Sequence, residues 1–182
     1  MAIVVVHDDA VVYAKGFGVK QLGASVPVDT HTLFQIGSTS KAFTSTLVAM
    51  LVDQGKLKWT DRVIDHDPEF AMYDAWVTRE FMIQDLMAQH SGMAPYAGDL
   101  LALIGFDAAY IRWQIREMRP VSSFRSEFGY VNNLFLVASA IIERLTGTSW
   151  EENVRRRIFT GVMMDAFSDV DNGLFERVAA KS

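Results

Sequence analysis

The chain has 182 residues, half of them hydrophobic, a formal net charge of −5 and no cysteine. This length and apolar content suit one domain or one and a half with a sizeable core, and four prolines with mixed charges argue against disorder. The acidic balance gives no reason to expect nucleic acid or an anionic membrane as partner, disulfides and thiolate chemistry are excluded, and no run approaches the roughly 20 apolar residues of a membrane span.

In chain order, Ile3–Val6 and Ala10–Val19 are rich in valine and joined by His7-Asp8-Asp9, which reads as a β-hairpin. Gly16 and Gly18 mark the far end of the second strand, where a bulge or close backbone approach is expected. A loop follows from Gly23 to Thr32. A helix is predicted over Thr39–Gln54: Phe43, Leu47 and Leu51 fall four apart, and Ala42, Val48 and Met50 widen the apolar face. Gly55 is expected to end it in the left-handed region. Leu57–Phe70, punctuated by Pro68, is expected to be loop. Further helices are predicted near Ile83–Gln89, stopped by Ser91-Gly92, and over Leu101–Met118, ending before Pro120.

The best-defined helix is Asn133–Leu145, where Leu134, Val137, Ala138, Ile141, Ile142 and Leu145 keep helical spacing up to Gly147. Ser149-Trp150-Glu151-Glu152 then has the form of a capping box, opening a helix to about Phe159. Arg155-Arg156-Arg157 reads as a solvated helix face. After Asp165 the pattern fades. Strands come first and helices after, and two strands alone make a poor sheet.

Ser38 and Lys41 lie three apart at the start of a helix, on one face. A serine hydroxyl needs a nearby base to act as a nucleophile. Lys41 can serve if it loses its proton, which burial and the positive end of the helix dipole both favour. The same dipole helps an oxyanion forming near the Ser38 N–H. The plain alternative is that the serine caps the helix.

The surroundings decide how the tetrapeptide is read. Leu33-Phe34-Gln35-Ile36-Gly37-Ser38-Thr39-Ser40-Lys41-Ala42-Phe43-Thr44 resembles the nucleophile segment of class C-type β-lactamases, D-Ala-D-Ala carboxypeptidases and related esterases. Phe128-Gly129-Tyr130-Val131-Asn132-Asn133 resembles the family's Tyr-x-Asn element, and the match continues through Ile141–Glu152. The serine β-lactamase and penicillin-binding-protein resemblance covers nearly all of residues 3–165. It implies a truncated α/β, β-lactamase/transpeptidase-like fold. Its parts are an N-terminal hairpin and nucleophile helix (1–60), a helical region carrying Tyr-x-Asn (61–165) and a tail toward an absent C-terminal half (166–182).

By the same resemblance Ser38 is the nucleophile, Tyr130 shares proton transfer with Lys41, and Asn132 holds the substrate amide and the lysine. The plain alternative makes Tyr130 a buried aromatic and Asn132 an N-cap. The implied activity is acyl-enzyme hydrolysis of β-lactams, D-Ala-D-Ala peptides or short esters, without cofactor or metal. A catalytically silent relative used in binding or assembly is the competing reading. The family is periplasmic or extracellular, but Met1–Val6 is too short for a signal peptide and lacks a basic leader.

The family's third motif, Lys-Thr-Gly or His-x-Gly, has no counterpart here; Ala180-Lys181-Ser182 is not that motif. Gln89-His90-Ser91-Gly92 stands where many members have His before x-Ser-Gly, Met82 replaces a common capping Thr, and Gly161-Val162-Met163-Met164 replaces Pro-Leu-Gly-Met. An unfinished sheet predicts a dimer, a domain swap or pairing with a missing C-terminal half. His7, His31, His66 and His90 show no metal spacing, and the loop around His66, with Asp65, Asp67 and Glu69, is expected to be solvated. Trp59, Trp76, Trp113 and Trp150 are expected to pack in core or loops, and Tyr96 is a candidate for a cleft mouth.

Overall fold

The computed structural model describes residues 1–162; the expected tail from 166 lies outside the described residues. The described residues form two compact units, which divide between Gly37 and Ser38.

The first unit is built on an antiparallel hairpin of β1 (Ala2–His7) and β2 (Ala10–Gly16). Its turn uses Asp8 and Asp9 at φ 49° and 58°, the left-handed pair that matches strand twist and that aspartate tolerates. Val5 pairs with Tyr13 but Val6 with Val11, so one extra residue bulges the second strand. This strand ends at Gly16 rather than at Val19. A Cβ on Gly16 would lie 2.1 Å from the Val28 carbonyl oxygen, and Gly18 turns the chain at φ 80°. Val4, Val6, Val11 and Val12 are all exposed.

The second unit is helical. Helix α1 (Ser40–Asp53) buries Thr44, Leu47, Val48 and Leu51. Helix α7 (Asn133–Thr146) buries Leu134, Val137, Ala138, Ile141 and Ile142, and the two stripes pack on each other because each recurs every three to four residues. Gly55 and Gly147 close the two helices at φ 68° and 72°, as their sequence positions predict. Between them come α2 (Val63–His66), α3 (Ala75–Glu80), α4 (Ile83–Ala88), α5 (Asp99–Leu103) and α6 (Ala108–Gln114). Helix α8 (Trp150–Val154) continues as a wider π turn over Arg155–Phe159. Trp150 Nε1 donates to Thr44 Oγ1 at 3.0 Å, tying α8 to α1.

Several expectations need correction. The stretch Leu57–Phe70 contains α2, whose Val63 is fully buried and donates its N–H to the Phe81 carbonyl at 2.8 Å. Asp67 in the acidic loop is not solvated but buried, with Arg144 at 3.3 Å and Arg112 at 3.9 Å. The long helix expected over Leu101–Met118 is broken: Gly105 turns at φ 95°, and the Asp107 carboxylate caps a new helix by accepting from Tyr110 N at 2.8 Å. Ser149 Oγ does accept from Glu152 N at 3.2 Å, but the Glu152 carboxylate turns to Arg155 and Arg156 instead of completing the box. Trp59 and Trp150 pack against the core, whereas Trp76 and Trp113 are exposed. Among the described residues no helix is long and apolar enough to cross a membrane.

Candidate active site

Ser38 lies just before α1 and Lys41 in its first turn; Tyr130 and Asn132 lie just before α7. The packing of α1 on α7 therefore brings the two helix starts together. Lys41 Nζ donates to Ser38 Oγ at 3.1 Å and to Asn132 Oδ1 at 2.5 Å. Tyr130 Oη donates to the same Ser38 Oγ at 2.5 Å. Lys41 Nζ also lies 4.7 Å from the centre of the Tyr130 ring. All four residues predicted from sequence thus share one hydrogen-bonded cluster, with Ser38 exposed at its surface.

The Tyr130 phenol is held below the ordinary value of 10.0, first by its contact with Lys41 and next by Ser38; burial and, least, Asp99 act against them. A cation beside a phenol favours the phenolate. The capping alternatives do not describe these side chains. Asn132 precedes α7 but makes no side-chain capping bond; its Oδ1 faces Lys41, and its Nδ2 donates to Asp99 Oδ2 at 2.6 Å. Nor does Ser38 supply a cap to α1, whose capping position is Thr39.

The backbone beneath the cluster is held by a residue that the sequence shows only as a departure from the family. Gln89 ends α4 at φ 61°. Its side-chain amide is buried and pairs with both polar groups of Val131: Val131 N donates to Oε1 at 2.7 Å, and Nε2 donates to Val131 O at 3.2 Å. Its own carbonyl accepts from Gly129 N at 2.8 Å. Gly129 permits this approach, since a Cβ there would lie 2.7 Å from the Met93 carbonyl oxygen. One buried amide thereby does what a neighbouring strand would do for Tyr130-Val131-Asn132. Gln89→Leu keeps the volume and leaves Val131 N–H and C=O without those partners. It is expected to cost about 1–3 kcal/mol in urea unfolding and to slow modification of Ser38. An unchanged midpoint with unchanged Ser38 reactivity would contradict this account of the clamp.

Arg125 fixes the preceding segment through two hydrogen bonds to buried Asp85, at 2.9 and 2.6 Å, and one to the Glu80 carbonyl at 3.1 Å. The Tyr96 ring sits 5.6 Å from the Tyr130 ring and is exposed, and Tyr96 N donates to Tyr130 O at 2.7 Å. His66 pairs with Asp61 and His90 with the Ala88 carbonyl, both outside the cluster. Among the described residues no group of three or more His, Asp or Glu is arranged to hold a metal ion.

The family model described as Beta-lactamase matches residues 1–182. The chain belongs to the beta-lactamase family. Penicillin-binding protein 4 of Amycolatopsis lactamdurans is 34% identical over 165 residues, which cover 87% of this chain and 42% of that protein. An unguisins hydrolase of Aspergillus campestris is 31% identical over 90% of this chain and 32% of its own length. The octameric penicillin-binding protein homologue from Pyrococcus abyssi superposes with a TM-score of 0.74 at 26% identity, over 90% of this chain and 39% of that one. The chain therefore spans less than half the length of each of these relatives. Among the described residues a two-stranded sheet is followed by helices, in keeping with the β-lactamase/transpeptidase-like fold that the sequence predicts.

Proposed function

We propose that this chain is a serine hydrolase acting through an acyl-enzyme, with β-lactams, D-Ala-D-Ala peptides or short esters as its substrate class. The observation that carries the reading is the convergence of Lys41 Nζ and Tyr130 Oη on Ser38 Oγ. In the phenolate form Tyr130 takes the Ser38 proton as Oγ bonds to the substrate carbonyl carbon. As the bond from that carbon to the leaving group breaks, Tyr130 passes the proton to the leaving group. Water then releases the acyl group and restores the serine. Lys41 favours the phenolate, and Asn132 positions Lys41 while keeping one Nδ2 hydrogen for a substrate amide.

The test is covalent labelling of the 182-residue chain by a fluorophosphonate and by a fluorescent penicillin, located by peptide mapping. Ser38 is expected to carry the label, and Ser38→Ala to abolish it. The labelling rate is expected to rise with pH, because the reactive form is the phenolate, and to reach half its maximum below the 10.0 of an ordinary phenol. Equal signals from the parent chain and Ser38→Ala would instead support a catalytically silent member acting in binding or assembly.

A further inference from the structure

We propose that Asp99 is a positioning residue for this serine: its carboxylate sets which way the Asn132 amide faces and, through that amide, holds Lys41 against Ser38 and Tyr130. The inference rests on the reading of Ser38 given above for its kinetic consequence only; the arrangement itself is independent of it.

An amide side chain can be turned over, exchanging its oxygen and nitrogen with little change in shape. What selects one face is the character of its neighbours. Asn132 stands between Asp99 Oδ2, 2.6 Å from Nδ2, and Lys41 Nζ, 2.5 Å from Oδ1. An ionised carboxylate only accepts and a lysine amine bearing its proton donates, so one orientation satisfies both neighbours and the other opposes donor to donor and oxygen to oxygen. A neutral amide or hydroxyl at position 99 could donate or accept and would release that constraint. The chain of contacts then runs Asp99, Asn132, Lys41, Ser38, with Tyr130 closing on Ser38.

Two further features set Asp99 apart from an ordinary acidic residue at a helix start. It forms no ion pair among the described residues, and its Oδ1 is buried without a hydrogen-bond partner among them. A buried carboxylate oxygen left unpaired costs stability, so a stabilising role alone does not explain the residue. Helix α5 is only five residues long and takes no side-chain cap. The loop before Asp99 is instead docked on the start of α7. Asn133 Nδ2 donates to Ala97 O at 2.7 Å, and Gly98 turns at φ 75° where a Cβ would come within 2.6 Å of that same Nδ2. Asp99 is thus delivered to Asn132 by backbone contacts that leave it little freedom.

The readout is the ionisation of the Tyr130 phenol, followed as the phenolate absorbance that the 182-residue chain has and its Tyr130→Phe variant lacks. The charged and titratable side chains around it are Lys41, Asp99 and Tyr96. Asp99→Asn removes a negative charge, which by itself would let Tyr130 ionise at lower pH. It also frees the Asn132 amide and so loosens Lys41, which acts in the opposite direction. Lys41 contact is the largest influence on Tyr130 and Asp99 the smallest, so the net expectation is a titration moved up, toward that of an ordinary phenol. Asn132→Ala is expected to move it up as well, and somewhat further because the Asp99 charge is kept, and the double variant no further than Asn132→Ala alone, since the two act in series. Where the parent chain labels at Ser38, both variants are expected to slow labelling by roughly 10–100-fold at neutral pH.

A Tyr130 titration that stays in place or moves down in Asp99→Asn would overturn the proposal. So would additive shifts in the double variant, or loss of the folded state in Asp99→Asn, which would make Asp99 a structural group. Absence of labelling at Ser38 in the parent chain would count against the hydrolase reading alone, because the phenol titration needs no activity.

Discussion

Lys41→Ala is expected to slow covalent modification of Ser38 by about 10²–10⁴-fold, the range associated with loss of positioned proton transfer. The size follows from how much converges on one nitrogen. Lys41 Nζ donates to Ser38 Oγ and Asn132 Oδ1 and lies over the Tyr130 ring. Its removal takes a hydrogen bond from the serine, frees the Asn132 amide and lets the Tyr130 phenol return toward its ordinary value, so less phenolate is present at neutral pH. Alanine favours the helix at this position, so α1 is expected to persist. Labelling rates of the two chains at one pH, with circular dichroism to compare helix content, decide the matter; a change of less than threefold would contradict the proposed role of Lys41.

Phe81→Ala is expected to cost about 3–5 kcal/mol in urea unfolding. Phe81 is fully buried, with the rings of Phe70 and Phe124 at 5.3 and 5.2 Å, so truncation opens a cavity between two aromatic side chains that cannot both follow. Its backbone carbonyl accepts from Val63 N, so the neighbouring chain is anchored where the cavity appears and collapse is restricted. Phe124 belongs to the segment that leads to Tyr130, which links this core position to the cluster. Phe81→Leu, which keeps most of the volume, is expected to lose less, about 1–1.5 kcal/mol. A loss below 1 kcal/mol for the alanine variant would show that the site relaxes freely.

The parts of this arrangement legible in the sequence are those written locally. Apolar spacing gives α1 and α7, and Gly55 and Gly147 mark their ends. The Ser38–Lys41 and Tyr130–Asn132 pairs stand out because each lies in a short segment that resembles one of the family's motifs. What was missed depends on partners far along the chain. Gln89 meets Val131 across 42 positions and Asn132 meets Asp99 across 33; neither pairing leaves a period or motif, and Asp99 alone looks like any acid in a first helical turn. Asp67 reads as one of several acids in a loop until Arg112 and Arg144 are brought to it. The break at Gly105 and Asp107 and the cap that Asp74 gives α3 by accepting from Trp76 N and Val77 N are of another kind. Their signals are local, and apolar periodicity outweighed them.

Every hydrogen bond described for the cluster and its supports lies between Ser38 and Asn133, inside a helical unit whose strand hairpin is a separate body. Helical units rich in local contacts assemble quickly, and domains form as they leave the ribosome. The hydrogen bonds of the cluster join residues at the starts of α1 and α7, and Asp99 between them. The proposed reactive centre is therefore expected to be set early in the life of the chain, from contacts made within the helical unit.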